Sequence, residues 1–96
     1  MPRRPNSSPQ TLAVLSALLE SPGWRHGLSL SRQTGLKPGT LYPLLLRLHD
    51  SGYLESEWQP PERPGRPARH AYRLNDSGRA LAEDRLAERG LAAKPA

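Results

Sequence analysis

Three histidines are the side chains best suited to metal or proton chemistry, and their spacing supports neither role. His26, His49 and His70 fit no metal-ligand pattern, and the chain has no cysteine to supplement them. The same lack of cysteine excludes disulfides and thiol catalysis. Glu83, Asp84 and Glu88 stand among Arg79, Arg85 and Arg89, which is a mixed-charge helix face rather than an acid–base pair. There is no Ser/His/Asp order and no Gly-rich phosphate loop. No enzyme, cofactor or metal is expected.

What remains is the recognition of anions. Arg63, Arg66, Arg69 and Arg73 face only Glu62, a net charge of +3 over residues 62–73. The whole chain carries +5 over 96 residues, with a pI near 10.4. That balance favours a polyanion, either nucleic acid or an anionic membrane surface. Arg3 and Arg4 precede the apolar run from Leu12 to Leu19, but Glu20-Ser-Pro-Gly-Trp follows without a small-x-small cleavage pattern. The run is also too short to cross a bilayer. A cytoplasmic protein with no membrane partner is expected.

The elements that must position these charges are legible from period and punctuation. Residues 1–9 read as a disordered basic arm, residues 10–75 as one domain, and residues 76–96 as a C-terminal dimerisation helix and tail. Ser8-Pro9 makes an N-cap and N1 pair for a first helix, whose stripe is Leu12, Leu15, Leu18 and Leu19. Ser21-Pro22-Gly23 stops it. A short second helix spans Gly27 to Thr34, with Gly35 ready to end it in the left-handed region. Pro38 opens a third helix, and Leu41, Leu44, Leu45 and Leu48 form its inner stripe. Pro43 either kinks that helix or moves its true start to near Tyr42.

From Tyr53 the period changes to two. Leu54 and Trp58 share the inward face of a strand, and His70, Tyr72 and Leu74 mark the return strand of a hairpin. Between them, residues 59–68 hold four prolines in a stiff basic loop. Asn75 caps a last helix running to about Arg89, with Leu81, Ala82 and Leu86 on its apolar side. The order is α-α-α-β-β-α, mainly helical with a small β-hairpin: a winged helix-turn-helix.

The stretches GLKPGTLYPLLLRLHDSGYLESEW and GRPARHAYRLNDSGRALA resemble the PadR family of bacterial transcriptional repressors. The resemblance runs from about Leu12 to Ala82. It implies a winged-helix dimer that binds operator DNA, in many members releasing it when a small effector binds. The third helix supports that role independently, since Gly39, Thr40, Pro43 and Arg47 turn outward. Gly39 allows close approach, Thr40 reaches a phosphate or base edge, and the helix N-terminus attracts phosphate. Tyr42, at the edge of the stripe, either offers its hydroxyl to a phosphate or packs as core.

Two departures from the family pattern stand out. Leu46 and Arg47 replace an expected basic pair. Lys37 occupies a usual Ser/Thr N-cap, where a cation costs about 0.3–1 kcal/mol unless a phosphate neutralises it. The expected DNA-binding residues are therefore Lys37, Gly39, Thr40, Tyr42 and Arg47 on the helix, with Arg63, Arg66 and Arg69 on a wing beside the minor groove. Gly65-Arg66-Pro67 echoes an AT-hook core, although Pro64 stands where that motif has Arg.

A chain this small and unstapled calls for a partner subunit. Val14, outside the leucine stripe, together with Leu81 and Leu86, is expected at a homodimer interface. That interface should be modest, because Lys94-Pro95-Ala96 follows the last helix closely. The last helix has no aromatic residue to stack on a flat effector, so a small-molecule effector is the weaker expectation. The reading is a sequence-specific DNA-binding repressor. Its alternative is a winged-helix protein–protein module whose basic loop only solubilises.

Overall fold

The computed structural model describes residues 6–93. Most of the expected basic arm and the Lys94-Pro95-Ala96 tail lie outside the described residues. Helix α1, Pro9–Glu20, starts where the cap pair placed it: Ser8 Oγ accepts from the Thr11 amide at 3.2 Å. Helix α2 is Gly27–Thr34, and Gly35 ends it at φ +77° while donating to the Ser31 carbonyl at 2.9 Å. Helix α3, Pro38–Asp50, is continuous through Pro43. Pro43 withdraws one amide from the Gly39 carbonyl, a loss that falls at the exposed first turn of the helix.

The expected hairpin is β2, Leu54–Gln59, and β3, Arg69–Leu74, paired antiparallel with Trp58 opposite His70 and Leu54 opposite Leu74. A third strand joins it. Arg25–His26, called β1, pairs with Tyr72 and Ala71 on the free edge of β3, giving the sheet order β1-β3-β2. Two residues carry too little alternation for a strand to be read from sequence. Arg25 also braces α1 and α2, donating to the Ala17 carbonyl at 3.1 Å and to Ser29 Oγ at 3.2 Å.

Helix α4, Asp76–Ala93, runs past the end expected near Arg89. Asn75 holds its start twice: Oδ1 accepts from the Gly78 amide at 2.8 Å, and Nδ2 donates to the Gly52 carbonyl at 2.7 Å. The core gathers Leu15, Leu30, Leu41, Leu45 and Leu48, each fully buried, with Leu54, Tyr72, Leu81 and Ala82 closing it. Each such leucine stabilises the fold by about 1.5–3 kcal/mol.

Two expectations of burial are corrected. Val14 and Leu81 offer almost no surface to a partner: they are 0% and 8% exposed within this chain's own core. Helix α1 packs against both α2 and α4, so its buried arc is wider than one leucine stripe. Trp58, expected inward, is 69% exposed. It does share the Leu54 face, but it lies four residues on, roughly 13 Å along the strand, where its ring stacks on His70.

Candidate nucleic-acid interface

The turn that sets α3 against α2 is fixed by two hydroxyls. Ser31 Oγ donates to the Leu36 carbonyl at 2.6 Å, and Thr34 Oγ1 accepts from the Leu36 amide at 3.2 Å while donating to the Leu30 carbonyl at 2.7 Å. The following residues, Lys37, Pro38, Gly39 and Thr40, are all exposed at the start of α3. Lys37 occupies the N-cap without a side-chain capping bond. Its ammonium stands at the positive end of the helix dipole, where an anion would relieve it.

The outward face of α3 divides into two sides. On one, Tyr42 is 43% exposed and its ring lies over Gly27. Beside it, burial pushes the Tyr72 hydroxyl above its ordinary pKa of 10.0, with Tyr42 adding to the effect. That hydroxyl shares a 3.0 Å hydrogen bond with His70 Nδ1, and the His70 ring stacks on Trp58 at 4.4 Å between centroids. On the other side, the Arg47 guanidinium donates to Thr11 Oγ1 at 3.0 Å, tying α3 to the start of α1. Arg47 is exposed on the expected helix face, with this bond directed to α1.

Residues 60–68 form the wing, and every one of them is exposed. Gly65, at φ +85°, lets its tip turn, with the Arg66 amide donating to the Arg63 carbonyl at 3.2 Å. Arg69 is half-buried at the root, and its Nε has no hydrogen-bond partner among the described residues. A cavity of about 440 Å³ lies between this wing and α2, lined by Leu28, Glu62, Arg63, Arg66, Pro67 and Arg69. Arg73 departs from the wing charge counted in the sequence: it pairs with Glu55 and covers the Trp24 ring at 4.3 Å.

Two consecutive residues of α2 join the halves. Gly27 touches Tyr42 of α3, and Leu28 lines the cavity beneath the wing arginines. The expected site residues thus form one surface of helix, α2 shoulder and wing, with Arg47 at its far edge. The histidines serve separate neighbours: His26 bonds Gln59 at 2.8 Å, His49 lies 3.5 Å from Asp50, and His70 sits between Trp58 and Tyr72. Among the described residues no three ligating side chains gather as a metal would need, and no helix is long and apolar enough to cross a membrane.

Residues 14–84 match the model described as the transcriptional regulator PadR-like family. The chain belongs to the PadR-like family. Transcriptional regulator Rv3488 of Mycobacterium tuberculosis is 48% identical over 69 residues, covering 71% of this chain and 56% of its own length. The chain thus spans little more than half of that relative. The structure of smu.1704 from Streptococcus mutans is 29% identical and superposes with a TM-score of 0.70 over 94% of this chain and 86% of that one. Bacillus subtilis PadR, solved in complex with operator DNA, shares the fold at a TM-score of 0.68 and 22% identity, over 88% of this chain and 48% of that one.

On this PadR-like surface three large apolar side chains stand outside the expected site residues. Leu28, Leu46 and Trp58 are 61%, 60% and 69% exposed, with one face of the Trp58 ring stacked on His70 at the wing root. Leu46 was legible as an outward position. For Leu28 and Trp58 the deciding neighbours come from distant elements.

Proposed function

We propose that this chain is a DNA-binding transcriptional repressor, acting in the cytoplasm as a homodimer. In this reading the start of α3 enters the major groove and the wing lies beside the minor groove. The observation that carries it is the run of exposed residues Lys37, Gly39, Thr40 and Tyr42 on α3, Leu28 on α2, and Arg63 and Arg66 on the wing, with half-buried Arg69 at the wing root. Along the line between α1 and α4, Pro9, Leu12, Ala13, Ser16 and Leu86 border a groove of about 240 Å³, which supports a second copy docking there. A two-fold pair would set its α3 helices about 34–36 Å apart for a pseudo-palindromic site. A small-molecule effector is the weaker part of this reading, since α4 has no aromatic residue to stack on one.

The exposed Leu28, Leu46 and Trp58 favour a second reading, a protein–protein module. Titration of duplex DNA at several salt concentrations separates the two. If Lys37, Arg47, Arg66 and Arg69 of both subunits each neutralise a phosphate, log K should fall with log salt at a slope of about −7. A slope steeper than about −4 supports the repressor reading, and a slope near zero overturns it.

A further inference from the structure

The outward face of α3 has few hydrogen-bonding groups to spend on bases. Gly39, Pro43 and Leu46 follow one another along it at i, i+4 and i+7, and all three are exposed. None has a polar side-chain atom, and Pro43 has no amide. The polar side chains around them are partly committed, with Tyr42 laid on Gly27 and Arg47 bonded to Thr11. Beside the strip, Thr40 offers an exposed hydroxyl, and Tyr42 offers a second one at the strip's edge.

A single exposed leucine is ordinary on a protein surface. Leu46 is unusual for its place: it is 60% exposed, on the helix whose Leu41, Leu45 and Leu48 are fully buried. Lys37 and Arg47 flank the strip with positive charge, and the space beside Gly39 is open to 4 Å. Asp50, one turn beyond Leu46 and roughly 6 Å further along the axis, ends the strip with an acid that a phosphate backbone would repel. The chemistry of this face is an apolar centre within a cationic frame. In the major groove of B-DNA, the apolar group on a base edge is the C5-methyl of thymine.

We propose that Leu46 and Pro43 determine sequence specificity by packing against thymine methyl groups, with Gly39 letting the helix come close enough to do so. The inference rests on the docking of α3 proposed above. Leu46 stands where the family resemblance implies a basic residue, so this chain exchanges a phosphate contact for a methyl contact. The favoured duplex carries thymine under the middle of α3 in each half-site. Discrimination there comes from shape and methyl burial more than from paired hydrogen bonds.

The test begins with the full chain and a duplex selected from a random pool. Each thymine is then replaced singly by deoxyuridine, which removes the methyl and leaves base pairing intact. Wild-type protein should lose about 4-fold in affinity per contacted methyl at one or two positions of each half-site. Leu46→Ala, at an exposed site with good helix propensity, should fold normally, bind the thymine duplex more weakly and be indifferent to the deoxyuridine under Leu46, keeping only the sensitivity that Pro43 supplies. Leu46→Lys should steepen the salt dependence and be equally indifferent. Wild-type protein binding the thymine and deoxyuridine duplexes alike, or Leu46→Ala keeping the full sensitivity, overturns the methyl reading and leaves α3 docking standing. Failure of wild-type protein to bind any duplex overturns both.

Discussion

The Tyr42 ring lies against the α-carbon of Gly27: a Cβ built there would stand 2.2 Å from the Tyr42 hydroxyl oxygen and 2.7 Å from Cε1. Glycine is required at the start of α2 because an aromatic ring from α3 occupies the space of a side chain. Gly27→Ala should therefore displace Tyr42, since a ring end on a rotatable side chain moves more readily than backbone. We expect the variant to stay folded and to bind DNA several-fold more weakly, about 1 kcal/mol. Anisotropy titration beside a thermal melt checks this, and unchanged affinity would show that Tyr42 is packing alone.

Gly78 is the opposite case. A Cβ there would meet the Tyr53 carbonyl oxygen at 2.0 Å and Leu74 Cδ2 at 3.0 Å, and backbone cannot swing aside. Gly78→Ala should destabilise the fold by about 2–3 kcal/mol through overpacking. For a domain of this size the melting temperature should fall by roughly 10–20 °C. Urea unfolding with an unchanged midpoint would contradict the contact.

Thr40 and Arg66 should separate in their effects. Thr40→Ala removes the hydroxyl beside the groove-facing strip and should blur preference among related duplexes. Arg66→Ala removes charge at the exposed wing and should weaken all duplexes more evenly, reducing the salt slope by about 1 per subunit. Equal losses from both variants on every duplex would erase the division between reading helix and wing.

The α1–α4 groove gives the assembly test. Leu86→Glu places a carboxylate beside Pro9, Leu12, Ala13 and Ser16, away from α3 and the wing. Sedimentation at several concentrations should show wild-type dimer and variant monomer, with DNA binding weakened in the variant. A wild-type monomer at high micromolar concentration, bound singly to duplex, would remove the two-fold arrangement.

The Tyr72 hydroxyl predicts an alkaline limit. Burial raises its pKa above 10.0, so the folded chain holds the proton more tightly than the unfolded one. The stabilisation from this group is complete below pH 10 and is lost as pH rises through 10 toward the raised value. Tyr72→Phe should lose less stability than wild type as pH rises above 10, measured by urea midpoints. Parallel losses in the two proteins would assign the alkaline limit elsewhere.

Much of this molecule was written in short-range signals. Ser8-Pro9, Gly35 and Asn75 act on amides and carbonyls within one turn, so the ends they set for α1, α2 and α4 were legible without a fold. The stripe Leu41, Leu44, Leu45, Leu48 fixed which side of α3 faces inward, and with it which side is left for a ligand. The basic wing was equally plain from Pro, Gly and Arg in one loop.

Other features depended on partners distant in the chain. The two-residue β1 exists because β3 presents a free edge to it, and Val14 is buried because α2 and α4 both close on α1. Trp58 stays exposed with its ring stacked on His70 of β3, Arg47 turns toward Thr11 thirty-six residues away, and Gly27 makes room for Tyr42. Periodicity and capping are settled by neighbours a few residues apart, so the sequence determines them directly. Which apolar residue is covered, and which cation stays free for DNA, is settled by what packs from elsewhere, and only the tertiary structure decides it.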